Sequence, residues 1–181
     1  GDHRFPLIKK VAQSVRDKLQ QNGAKHILAL LDENSNDDDR WHTGHRNMQD
    51  NYHFLLQKVL AEPWLGLVIK PKVPGSIRHR LGPVAEVLRQ AEATGRCFIF
   101  ENKGLRGVHP PAAASLAADI TIHSHLYGAT AGLESALAGV PTVLFDKDGW
   151  SDSPLNRLGI GKVVFNSWED LWDACLQQFS P

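Results

Sequence analysis

The sequence predicts an α/β fold: a doubly wound parallel sheet of six strands with helices on both faces. Three observations carry that prediction. Apolar residues at helical spacing alternate along the chain with short apolar runs of the length of buried strands. The alternation is regular, so each strand is followed by a helical crossover, which favours parallel pairing and right-handed connections. The third is the segment Ala118 to Asp146, ADITIHSHLYGATAGLESALAGVPTVLFD, which reads as strand, tight small-residue turn, short helix and second strand. In that order a helix N-terminus can hold an anionic ligand above the sheet.

Leu7, Ile8, Val11, Val15 and Leu19 share one helical face, and Gly23 ends that helix before the first strand, His26 to Leu31. Glu33 to His45 is polar, carries Asp37, Asp38 and Asp39 in a row, and reads as a long loop at the carboxyl end of that strand. A helix from about Met48 to Ala61 leads to the strand Leu65 to Lys70, and one from Val84 to Ala93 leads to Cys97 to Glu101. Pro110 to Ala117 makes a short helix before the strand Asp119 to His123. The Glu134 helix, the strands Thr142 to Phe145 and Lys162 to Phe165, and a last helix from Trp168 to Phe179 complete the order.

A chain of 181 residues with 42% hydrophobic content supports one core, so residues 1–181 are expected to form a single domain. No apolar run approaches the roughly 18 residues of a membrane helix. Lys plus Arg and Asp plus Glu number 20 each, so no global field draws the chain to nucleic acid. Cys97 and Cys175, one in a strand and one in a helix, suit a reducing compartment better than a disulfide scaffold.

Free amides at the start of the helix near Gly128 to Thr130 point at where phosphate oxygens would lie, and the small Gly128, Ala129, Ala131 and Gly132 let a diphosphate approach the backbone. Leu133, Ala136 and Leu137 are expected to face inward, leaving Glu134 toward the cleft. A glutamate complementing the helix dipole is the plainer reading of the same residue. Lys70 and Lys72 flank Pro71 at a strand end and share one side of an extended segment, where either can neutralise a phosphate; Arg78 and Arg80 are further candidates. His123 and His125, two apart at the end of the fourth strand, are the candidate catalytic residues, able to donate to phosphates or transfer a proton. No metal is expected, because no third ligand shows usable spacing to them and the Asp37 to Asp39 run reads as a solvated loop. Trp41, His42 and His45 are expected to border the cleft.

Gly128, Thr130, Glu134, Gly139 and Pro141 match a pattern of glycine, small polar residue, Glu, Ala, Gly, x, Pro that resembles the donor-binding signature of GT-B fold glycosyltransferases. GVHPPAAASLAADITIH, Gly107 to His123, resembles the region of that family in which a Val/Pro loop lies near the nucleotide base, which makes Val108 and His109 candidate contacts. The resemblance implies a Rossmann-like domain that is one half of a GT-B fold, the C-terminal half that holds the donor. It implies that Glu134 accepts hydrogen bonds from the ribose hydroxyls. The nucleotide sugar, a UDP sugar for instance, is then a substrate and no cofactor is needed. The implied partners are an N-terminal acceptor-binding domain and a glycan or lipid-linked acceptor, in surface or capsular polysaccharide synthesis, with a cytoplasmic location peripheral to the inner membrane face. The position eight before Glu134, acidic in many retaining members, is Leu126 here. Two other readings stay open: a nucleotide-sugar 2-epimerase, and a noncatalytic receiver-like module using the Asp-rich loop.

Overall fold

The computed structural model describes residues 5–40, 43–101 and 109–180. Seven helices and six strands occur among them in the order α1 (Phe5–Gln21), β1 (His26–Leu31), α2 (His45–Ala61), β2 (Leu65–Lys70), α3 (Ile77–Leu81), α4 (Val84–Ala93), β3 (Cys97–Ile99), α5 (Pro111–Ser115), β4 (Ile120–His123), α6 (Thr130–Leu137), β5 (Thr142–Phe145), β6 (Val164–Phe165) and α7 (Trp168–Phe179). The strands form one parallel sheet in the order β3-β2-β1-β4-β5-β6. That order reverses direction between β1 and β4, and a crevice opens there at the carboxyl ends of the strands, the usual ligand position in open α/β sheets. It also differs from the 2-1-3-4-5 order of receiver-like folds.

Alternation along β1 divides the core. Leu28 and Leu30 pack with α2, α4 and α7 residues such as Tyr52, Leu56, Leu88 and Trp172. Ile27, Ala29 and Leu31 face the other way, onto Ala12, Val15 and Leu19 of α1 and Ala113, Ala114 and Ala117 around α5. Both faces of the sheet are therefore covered by helices, as continuous apolar strands require. The Ser115 and Ser135 hydroxyls meet at 2.6 Å in the buried seam between α5 and α6.

Strand and helix order follows the sequence expectation, with differences in detail. β3, β4 and β6 are shorter than expected, and α2 starts three residues earlier, at His45. The short helix α3, entered through a 3-10 turn at Pro74–Ser76, is unexpected from periodicity. It exists because Arg80 turns inward: its guanidinium donates to the hydroxyls of Ser35 and Ser76 and to the carbonyl of Val73. A 3-10 turn, Pro154–Leu158, joins β5 to β6 in place of a helix. Both cysteines are free and buried. No helix among the described residues is long and apolar enough to cross a membrane.

Candidate functional site

The register of β1 on β4 pairs Leu31 with His123, and that of β1 on β2 pairs Leu31 with Lys70. Three strand ends thus come side by side, and the residues that follow them build the site. A cavity of about 470 Å³ lies there, within the size range of small-molecule sites. It is lined by Leu31, Asp32 and Glu33 after β1, Lys70, Pro71 and Lys72 at the end of β2, His109, Pro110 and Pro111 at the start of α5, and Gly128, Thr130, Ala131 and Glu134 around the start of α6. Of the residues singled out in the sequence, Glu134, Gly128, Thr130, Ala131, Lys70, Lys72 and His109 converge on this one space. Val108, Trp41 and His42 lie outside the described residues.

The turn before α6 forms because Gly128 adopts a φ of +66°, the left-handed region that a β-carbon disfavours. Helix α6 then begins at Thr130 with Ala129 as its cap residue and no side-chain cap hydrogen bond. The Thr130 amide donates to the Gly128 carbonyl at 2.7 Å, no side chain caps the amides that follow, and the dipole there favours an anion.

The inward face of α6 is not the expected one. Leu133 and Leu137 are exposed, the latter by 88%, and Gly132 and Ser135 are buried instead. A β-carbon at Gly132 would sit 3.1 Å from His123 Cβ and 3.2 Å from a Leu144 methyl. Its smallness serves close packing of helix on sheet, and Ala129 is likewise buried in a cluster with Leu126, Leu144 and Val164. Neither Gly132 nor Ala129 is among the residues that line the cavity. Glu134 does lie on the cavity side of the helix.

The basic residues divide similarly. Lys70 is buried, its Nζ donates to the carbonyl of Pro71 at 3.0 Å, and burial lowers its pKa against an upward pull from Asp32. Lys72 is more exposed and pairs with Glu33. Arg78 is held away from the cavity between Glu92 and Glu101 at 2.9 and 2.8 Å, and Arg80 is committed to the fold as described. In the Asp-rich loop, Asp38 pairs with Arg40 and Asp39 with Arg46. His45 sits beside the Ser35 hydroxyl, 2.7 Å from Nδ1.

His123 and His125 lie outside the lining of the cavity. His123 is buried under α6, and desolvation, with His125 beside it, lowers its pKa to about 4, so the ring is neutral near pH 7. His125 lines a small neighbouring space shared with Glu33 and Ser124, and its Nε2 is 3.6 Å from Glu33 Oε1.

Two acidic residues missed in the sequence stand at the centre of the site. Asp32 is buried, accepts a 2.9 Å hydrogen bond from the Tyr52 hydroxyl, and has its pKa raised to about 7 by burial. Glu33 is held ionised, its pKa lowered to about 2: burial opposes the charge, while hydrogen bonds from His125 and Lys72 outweigh it. Their place immediately after β1, at the switch point, is the signal that would have found them.

No protein-family model and no curated protein sequence matches the chain. Two solved structures share its fold. The chain is similar to the C-terminal domain of a glycosyl transferase group 1 family protein, LpcC, from Francisella tularensis, at 10% identity and a TM-score of 0.53, over 98% of this chain and 82% of that one. The chain shares the fold of that domain. It is also similar to Anabaena Alr3699/HepE, solved in complex with UDP and glucose, at 11% identity and a TM-score of 0.56. That match covers 93% of this chain and 42% of HepE, so the chain spans under half the length of that relative.

Proposed function

We propose that this chain is the donor-binding half of a glycosyltransferase that moves a sugar from a nucleotide sugar to an acceptor hydroxyl. One observation carries the reading: the cavity at the β1/β4 switch point collects Glu134, the Gly128 turn, the uncapped start of α6, Lys70 and Lys72 in one space. On this reading Glu134 accepts hydrogen bonds from the ribose hydroxyls, and His109 borders the base. The diphosphate lies on the Gly128 turn and the first amides of α6, with the lysines beside it. Departure of the nucleotide diphosphate develops negative charge, and oriented amides with nearby cations stabilise that charge where it forms.

The acceptor is a glycan or lipid-linked chain in surface or capsular polysaccharide synthesis, held by a second, acceptor-binding half. Transfer needs both halves closed on the reactants, because alignment and exclusion of water come from the cleft between them. These 181 residues alone are therefore expected to bind donor without turning it over.

Titration calorimetry with UDP, UDP-glucose, GDP and ADP tests the reading. A nucleoside diphosphate should bind, its monophosphate more weakly, and Glu134→Gln should weaken both. Absence of binding by every member of the panel would remove the site. Sugar transfer by this chain alone would show that the division of labour is wrong.

A further inference from the structure

Leu31 and His123 are register partners at the ends of neighbouring parallel strands, and Glu33 and His125 each follow two residues later. Residues two apart in extended chain project to the same side. The two strand ends therefore bring one carboxylate and two imidazoles together, although 90 residues of sequence separate Glu33 from His123. One ligand atom from each of Glu33, His123 and His125 lies within 4.8 Å of the others.

We infer that Glu33, His123 and His125 form a binding site for one divalent transition-metal cation of the zinc type. Two observations beyond the clustering support it. His123 is only 1% exposed, and its ring nitrogens have the backbone of Leu31 and Gly128 near them but no hydrogen bond of good geometry, a poorly satisfied state for a buried polar ring. The donor set, two imidazoles and one carboxylate, suits zinc or cobalt and fits poorly with magnesium or calcium, which prefer all-oxygen shells.

Donors at ~2.0–2.1 Å from a tetrahedral zinc lie roughly 3.4 Å apart. Glu33 Oε1 and His125 Nε2 are 3.6 Å apart, close to that spacing, and the three ligand atoms together lie within 4.8 Å. The second Glu33 oxygen is held by Lys72, an outer contact of the kind that fixes a ligating carboxylate. Three protein ligands leave a fourth position of a tetrahedral ion to water or another small ligand, and Glu33 and His125 both line the small space beside Ser124.

Tag-free protein stripped with EDTA should be titrated with Co²⁺, then with Zn²⁺ as competitor, with no nucleotide present. The expected result is one equivalent bound with the visible bands of a four- or five-coordinate nitrogen-ligated cobalt, displaced by zinc, together with shifts of the His123 and His125 ring nitrogens by NMR. Glu33→Gln and His125→Ala, each checked for native circular dichroism, should weaken binding by at least the ~10–100-fold typical of losing an outer-shell partner. Absence of a nitrogen-ligated spectrum would overturn the inference. So would binding that both variants leave unchanged, which would assign the metal to other histidines. Because no nucleotide is used, failure here leaves the donor reading standing, and its failure leaves this one standing.

Discussion

Two sides of one short helix do opposite work. The Gly128 turn and the Glu134 side of α6 open onto the cavity, whereas Gly132 and Ser135, on the other side, are pressed into the sheet and the α5 seam. Gly128 and Gly132 are four residues apart, yet the first is glycine because of its backbone angle and the second because of its neighbours. No atom lies within 4 Å of a β-carbon built on Gly128, while His123 and Leu144 crowd one built on Gly132. A run of small residues beside a phosphate site is therefore no guide to which of them touch ligand. Some are small so that the helix can sit low on the sheet, with the others at the cavity.

Substitutions on the two sides separate these roles. Glu134→Gln should leave unfolding by urea unchanged and weaken nucleoside diphosphate binding by about 1.5–3 kcal/mol, the range for a hydrogen bond to a charged group. Unchanged affinity would take Glu134 out of the site. Gly132→Val should do the reverse, lowering stability by about 1–3 kcal/mol through overpacking against His123 and Leu144, with binding affected only as the helix lifts. A fully stable Gly132→Val protein would show that α6 has room to move.

Gly128→Val places a β-branched residue at a φ of +66°, which carries a strain of roughly 1–2 kcal/mol, and should also narrow the approach to the helix start. Loss of binding beyond what the strain explains, measured by calorimetry on folded protein, would assign the turn to the ligand. The smallest effect is expected at Lys72→Ala. That side chain is already paired with Glu33 and largely exposed, so stability should change by no more than the ~0.2–1 kcal/mol of surface ion pairs. A larger effect of Lys72→Ala on diphosphate binding would mean that ligand breaks the Lys72–Glu33 pair.

Much of the fold was legible because it rests on local patterns. The ends of β1, β2, β5, α4 and α7 coincide with the bounds that the sequence predicts for them. The misread face of α6 has a physical cause. Its leucines look like core residues by hydrophobicity, but a helix docked closely through Gly132 buries its smallest residues and turns its largest outward. The missed α3 has another: it is held by Arg80, a charged residue whose burial depends on partners from Ser35 to Val73 that no local window contains.

The same distinction governs the candidate site. By itself the sequence determined the alternation of strands and helices, the small-residue turn, and the placement of Glu134 on a helix that starts beside it. Those depend on backbone preference and periodicity, which act over a few residues. Only the tertiary structure decided which strand ends adjoin. That choice put Lys70 and Lys72 beside Glu134, drew Lys72 onto Glu33, excluded Arg78 and Arg80, and set Glu33 against His123 and His125. Contacts of this kind depend on the order and register of parallel strands. Their hydrogen bonds are nearly alike for every pairing, so side-chain packing across the whole sheet selects among them.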